Sequence, residues 1–326
     1  MKINYDRKGY DMKNILNRIT KIKEFGVFAA FLFLCILLMI LSPYFLGVQN
    51  IFNVLRQISI IAILAVGQAI IIILGGLDLS IGTVMGLSGV ICAILISTGL
   101  PPIVVLFIVL AAGGTVGILN GLIITKLKVN AFIVTLGMQY IARATALLIT
   151  GGLPIWLEGD ITFLGSGYVG VVPMPVIIMF IVAVAGIVFT QKTLPGRNIY
   201  AVGNNEKAAK LSGIRTDKVK IMAFTIMGVL CGLSGIILAG TLKSAEPTAG
   251  LGYELEAIAA VIIGGTSLSG GEGTILGVLI GAALMGVLKN GFVLLGISAY
   301  WQIFAIGVVI IGAVAIDSLK NKKALG

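Results

Sequence analysis

The chain is an almost unbroken succession of apolar runs, and nothing else in it constrains the fold as strongly. Crossing a bilayer as a helix takes about 20 apolar residues. Read against that length, the sequence offers about ten spans: 25–46, 54–74, 82–99, 101–125, 131–150, 173–190, 220–241, 254–265, 274–288 and 296–316. The stretches 254–265 and 274–288 are short for a full crossing and are expected to be broken or tilted. Backbone at membrane depth must satisfy its own hydrogen bonds, which leaves helices or a closed barrel, and runs of this length are helical. The expected fold is therefore an all-α, polytopic transmembrane bundle. Composition agrees: charged residues are 11% of the 326 and mean hydropathy is +1.12, whereas soluble domains carry about 25% charged residues. Intrinsic disorder and a conventional soluble enzyme are both excluded.

The net charge of +10 raises the possibility of nucleic acid, so its placement decides. With ten spans and a cytoplasmic N-terminus, the inner segments are 1–24, 75–81, 126–130, 191–219, 266–273 and 317–326. Together with Lys220 at the mouth of the seventh span they hold 19 of the 23 basic residues. The outer loop 151–172 has Glu158 and Asp160 and no basic residue. This is the positive-inside pattern. The charge is a topology signal, and no basic face interleaved with aromatics points to nucleic acid. The chain divides into a basic cytoplasmic segment at 1–24, a membrane domain at 25–316 and a cytoplasmic tail at 317–326. The first span is too long for a secretory h-region and no small-residue cleavage site follows it, so a cleaved signal peptide is not expected.

Chemistry is scarce. There is no His, which removes the commonest general base and metal ligand. Cys35, Cys92 and Cys231 each sit in an apolar run and read as small buried hydrophobes. The string Leu268-Ser269-Gly270-Gly271-Glu272 resembles an ATPase signature loop, but no G-x-x-x-x-G-K-[ST] accompanies it, so it reads as a glycine-rich turn. Neither a catalytic constellation nor a metal or cofactor site is expected. Ionisable groups at membrane depth carry functional suspicion. Asp78, at the inner end of a span, would meet water or cap the following helix. Arg143, within the fifth span, would snorkel outward or pair with a carboxylate such as Glu254 or Glu256, a structural ion pair being favoured over a substrate contact because intramembrane charges usually pair. Carboxylates are otherwise nearly absent from span interiors, which disfavours an ion-coupled secondary carrier.

Two segments echo each other. Gly75-Gly76-Leu77-Asp78-Leu79-Ser80-Ile81-Gly82 recurs as Gly264-Gly265-Thr266-Ser267-Leu268-Ser269-Gly270-Gly271, agreeing at the paired glycines, the Leu, the Ser and the closing glycine. Each copy ends an Ile/Val-rich run and lies on the expected inner side, which favours a parallel repeat of the kind transporters contain. In the largest inner loop, Gln191–Val219, Pro195-Gly196 stops the preceding helix. Asn204/Asn205 then offer an N-cap ahead of Glu206–Leu211, and Gly213 is placed as a C-terminal stop. A two-turn surface helix follows, with small alanines against which another protein can pack.

Three blocks, GGLDLSIG at 75–82, GRNIYAVGNNEKAAKLSGI at 196–214 and ELEAIAAVIIGGTSLSGGEGTILG at 254–277, resemble the membrane permeases of ABC importers, closest to the ribose/xylose/galactose branch. The resemblance covers residues 25–316. It implies a pair of permease chains in the bacterial inner membrane, most simply a homodimer, and a cytoplasmic ATPase, often one polypeptide with two cassettes, that binds the ATP and Mg²⁺. It also implies an extracytoplasmic sugar-binding protein that delivers the solute. Gly196, Arg197, Asn204, Glu206, Ala208, Ala209 and Gly213 then match the ATPase-contacting loop. Gly75, Gly76, Asp78, Ser80, Gly82, Gly264, Gly265, Ser269 and Gly271 would form glycine turns at an inner gate. Branched-chain amino acid and autoinducer-type permeases are related, and the Asp-Leu-Ser form of the first block favours a carbohydrate. A secondary carrier and a nontransporting membrane scaffold are the rivals outside this class.

Overall fold

A computed structural model of the chain describes residues 24–325. The basic segment 1–24 thus lies outside the described residues apart from Glu24. Every expected apolar stretch contains a helix: α1 (Phe25–Leu41), α2 (Val48–Ile73), α3 (Ile81–Ser97), α4 (Pro102–Lys126), α5 (Ala131–Thr150), α7 (Met174–Lys192), α10 (Thr216–Leu242), α11 (Tyr253–Ile263), α12 (Ile275–Leu294) and α13 (Ala299–Leu325). Between them lie the short helices α6 (Phe163–Ser166), α8 (Leu194–Asn204) and α9 (Glu206–Leu211). The fold is an all-α membrane bundle in which α2, α4, α5, α7, α10 and α12 are long and apolar enough to cross a bilayer.

Local chemistry sets most helix ends. Prolines stand in the first turn of α4, α7 and α8, where the missing N–H is not needed. Gly151 closes α5 in the left-handed region at φ +63°, a conformation that carries little penalty only for glycine. The first span is shorter than expected: α1 stops at Leu41 and a turn replaces the rest. At 11 residues, α11 is about 16 Å long, half of a crossing. The loop 191–219 is also more helical than its sequence suggested. Pro195 does follow the end of α7, but it opens α8 at once, with the Thr193 hydroxyl accepting from the Gly196 N–H at 3.1 Å.

Helix α2 is the central post. From Ile58 to Ile73 it is buried continuously, packed by α7, α10, α11 and α12. Around it α10 lies against α3 and, most closely, against α4. The α4–α10 seam is made by glycine: a Cβ at Gly113 would overlap the Gly228 carbonyl, one at Gly228 the Gly113 carbonyl, and one at Gly117 the Phe224 carbonyl. Lipid tails are as apolar as the helices, so association rests on this close packing and not on the hydrophobic effect. At the end of the bundle opposite α8 and α9, short strands tie the loops: β1 (Ile155–Trp156) pairs antiparallel with β4 (Ser244–Ala245), and β2 (Tyr168–Val169) with β3 (Val172–Pro173). These ladders had no sequence signal beyond a polar loop.

Gly228→Val is expected to destabilise the bundle by about 1–3 kcal/mol, the usual cost of overpacking. Thermal unfolding of purified protein, followed by a thiol-reactive dye that reports exposure of buried Cys92 and Cys231, should show a lowered midpoint. Gly137→Ala, at a helical glycine with nothing within 4 Å of the new methyl, should leave it unchanged.

Candidate functional site

The two echoing segments fold as the same helix stop. At the end of α2, Gly75 sits at φ +87°, with its N–H on the Ile72 carbonyl and that of Gly76 on Ile71, both at 2.9 Å. At the end of α11, Gly265 sits at φ +86°, with its N–H on Ile262 at 2.9 Å and that of Thr266 on Val261 at 3.2 Å. Both are left-handed caps that satisfy the last carbonyls of a helix. The repeat is thereby one residue out of the register read from the sequence: Gly75 corresponds to Gly265, and Gly76 to Thr266. Gly264 serves packing instead, because a Cβ there would lie 2.6 Å from the Gly277 carbonyl of α12.

The three sequence blocks meet around the end of α2. The carbonyl of Ile73, past the last helical donor, accepts the Gly271 N–H at 2.8 Å. Gly203, on the last turn of α8, presses against the same carbonyl so closely that a Cβ would overlap it. A Cβ on Gly270 would lie 2.9 Å from the Gly203 carbonyl and 3.1 Å from the Gly75 Cα. The Tyr200 hydroxyl donates to the Gly273 carbonyl at 2.9 Å. Thr274 caps α12 by accepting from the Gly277 N–H at 3.1 Å, and its hydroxyl donates to Glu24 at 2.8 Å. A crevice of about 250 Å³ opens here between Glu24, Tyr200, Gly265, Glu272 and Thr274. Ser269 lies on the exposed rim of this turn, its N–H on the Ser267 hydroxyl at 3.2 Å. Sequence reasoning quoted Tyr200, Gly203 and Gly270 inside its blocks without singling them out, since nothing local distinguishes a glycine that touches another chain segment.

Asp78 lies beside this junction and does not meet water: it is 3% exposed. Its Oδ1 accepts from the Ser80 N–H at 2.8 Å and the Ser80 hydroxyl at 2.6 Å, and Asn120 Nδ2 of α4 donates to that hydroxyl at 3.2 Å. The carboxylate thus shapes the turn into α3 instead of capping the free N–H groups of its first turn. Gly82, one turn on, lets the chain before α11 approach, since a Cβ there would overlap the Gly250 carbonyl and lie 2.5 Å from Glu254 Oε2.

Helix α9 forms as its caps dictate. Asn205 is the N-cap, accepting from the Ala208 N–H at 3.0 Å. Gly213 closes the helix at φ +85°, followed by the Ile214 N–H on Ala209 at 3.1 Å. Glu206 is held by Lys220 of α10 at 2.6 Å. Among the seven positions assigned to the contact surface, Arg197, Asn204, Glu206, Ala208 and Gly213 are exposed. Gly196 and Ala209 are not: a Cβ on Gly196 would overlap the Phe189 carbonyl, and Ala209 is 5% exposed. They seat α8 and α9 on the bundle. Leu211, at the tip of α9, is instead 90% exposed, beside a groove of about 460 Å³ walled by Leu194, Asn198, Arg215 and Met222.

The expected intramembrane pair is also different. Arg143 is exposed and has no ion-pair partner among the described residues. Glu256 pairs with Lys289 of α12 at 2.9 and 3.1 Å, and that ammonium stands 5.5 Å from the Tyr253 ring. Glu254 takes a long hydrogen bond from Gln139 at 3.4 Å and one from the Gly252 N–H at 3.1 Å. The α11 turn places Glu256 against α12, which supplies the nearer cation.

The family described as branched-chain amino acid transport system / permease component matches residues 50–314. The chain is 43% identical to the ribose import permease protein RbsC of Haemophilus influenzae over 303 residues, covering 91% of this chain and 94% of that one. It is 43% identical to the RbsC protein of Bacillus subtilis over 302 residues, 92% and 94% of the two chains. It is 38% identical to the D-allose transport system permease protein AlsC of Escherichia coli over 286 residues, 86% and 87%. No solved structure matches it.

Gly203→Ala is expected to drive α8 off the Ile73 carbonyl and loosen the segment behind it. Trypsin cleavage at Lys207, Lys210 and Arg215 in the purified protein should then accelerate about tenfold, as for a locally opened segment. Cleavage unchanged from the wild type would show that the junction does not hold this segment.

Proposed function

Since the chain belongs to the branched-chain amino acid transport system / permease component family, we propose that it is the membrane permease of an ATP-driven sugar importer for a ribose-type monosaccharide. The observation that carries the reading is full-length similarity to ribose permeases at 43% identity. The D-allose permease at 38% also weighs towards a carbohydrate and against the amino acid that the family's description names.

In this reading ten helices cross or enter the inner membrane of a bacterium, with both termini and the basic end of the bundle cytoplasmic. Two copies of the chain assemble with the path near their interface. A two-cassette ATPase holds the ATP and Mg²⁺, and an extracytoplasmic binding protein hands over the sugar. Helix α9 is the element on which the ATPase pushes. It projects from the basic end, it is rigidly capped, and through α8 it bears on the turns that end α2 and α11. The junction at Ile73, Gly203 and Gly271 is then the inner gate. Solute selection lies mainly with the binding protein. In this scheme the chain is a conduit and the energy comes from its partner.

Leu211 is the apolar anchor of the proposed contact and Glu206 its polar neighbour. Leu211→Glu is expected to weaken ATPase co-purification about tenfold or more, as loss of an interface anchor does, with ATP-driven ribose uptake into proteoliposomes falling in parallel. Glu206→Lys, which also sets two cations together at Lys220, should lower uptake. Complex formation and uptake both at wild-type level in the two variants would refute the coupling assignment. Uptake by the permease alone, without ATPase, would refute the conduit.

A further inference from the structure

Helix α5 carries a polar flank in its interior. Gln139 and Arg143 stand one turn apart, about 12 and 18 Å along the helix from Ala131 at 1.5 Å per residue. The buried side of α5 holds Val134, Thr135, Met138, Ala142 and Ala146 and packs on α3. Gln139 sits at the edge of that contact and reaches Glu254 on the first turn of α11. Arg143, on the same flank, is exposed and unpaired among the described residues. Ile141 lies about 200° round the helix from Gln139 and is 60% exposed.

A guanidinium exposed this far from either helix end is poorly placed against acyl chains. It belongs against water or a polar surface. The neighbouring groups agree: α11 begins within the bundle, so the chain at Gly252–Glu254 is backbone interrupted at depth, which is tolerated where it is buried or lines a water-filled cavity. Gln139 offers an amide, Glu254 carboxylate oxygens, Arg143 five N–H donors. Alternating donors and acceptors of this kind match vicinal hydroxyls.

We propose that the Gln139–Arg143 flank of α5, together with the Glu254 turn of α11, lines the solute path and supplies transient hydrogen-bonding groups to a polyhydroxylated solute as it passes. The inference rests on the permease reading and names residues for it. Glu254 Oε2 lies against Gly82 at the start of α3, so a change in the turn at 75–82 would shift this lining directly.

The test uses the whole transporter, with ATPase and binding protein, in proteoliposomes. Gln139→Cys, Arg143→Cys and Ile141→Cys are exposed to a small, membrane-impermeant cationic methanethiosulfonate, with the wild type giving the background from the native cysteines. Modification at 139 and 143 is expected to run about tenfold faster than at 141, because the reagent needs a hydrated thiolate. It should abolish most ATP-driven ribose uptake at 139 and 143 while sparing the 141 variant. Equal rates at all three positions would overturn the proposal. So would an inert cysteine at 143 that forms a disulfide with a second copy under oxidation, since that flank would then be a chain–chain contact. Labelling requires no knowledge of the solute. If wild-type complex fails to take up ribose while the labelling pattern holds, the sugar assignment falls and the path assignment stands.

Discussion

A helix that stops within a packed bundle leaves carbonyls buried, and leaving one without a partner costs about 2–7 kcal/mol. Helix α2 stops at Ile73 and the whole basic end of the molecule is arranged around that fact. Its own left-handed cap answers the carbonyls of Ile71 and Ile72, and Gly271 answers Ile73. Helix α8 and the 270–273 turn crowd onto that carbonyl so closely that no side chain fits at the contact. Gly203 and Gly270 follow from that single requirement, because each would collide with the junction if it had a Cβ. The sequence blocks at 75–82, 196–214 and 254–277 are one structural unit that the chain visits three times.

Features determined locally were legible in the sequence. The apolar stretches became helices because their length and composition leave the backbone no other way to be satisfied. Helix α9 appeared with its cap at Asn205 and its stop at Gly213, since both depend on residues within one turn. What was not legible depends on distant neighbours. Helix α8 has in its first turn a proline that reads in the sequence as a stop, and packing on α7 and α10 joins the Thr193 cap in making it a helix. Ala208 and Ala209 look equivalent in sequence, yet the first faces out and the second is pressed onto the bundle. The repeat slipped by one residue because a glycine needed for packing, Gly264, mimics a glycine needed for a turn.

The buried charges obey the same economy of partners. Glu256 finds Lys289 across the α11–α12 contact, a pair whose removal on one side would strand a charge at depth. Among the described residues no cation is hydrogen-bonded to Asp78; it is held by Ser80, which is held in turn by Asn120. The first arrangement fixes the start of α11 and the second fixes the start of α3. Gly82 and Glu254 then bring those two starts together. Polar residues that a sequence reading treats as isolated anomalies are here the pins at the breaks between helices.

Motion introduced at α9 has two routes into the bundle. One runs through α8 to the Ile73 junction. The other runs through Glu206 and Lys220 into α10, which is seamed to α4 by backbone contacts at Gly113, Gly117 and Gly228. Side chains in a packed core yield by changing rotamer, but a glycine contact has none to change, so the Ile73 junction and the α4–α10 seam have little give, whereas the Glu206–Lys220 link is between two partly exposed side chains. The first route ends at the 270–273 turn, whose glycines take φ +82°, +75° and +157° and whose Gly271 N–H holds the Ile73 carbonyl.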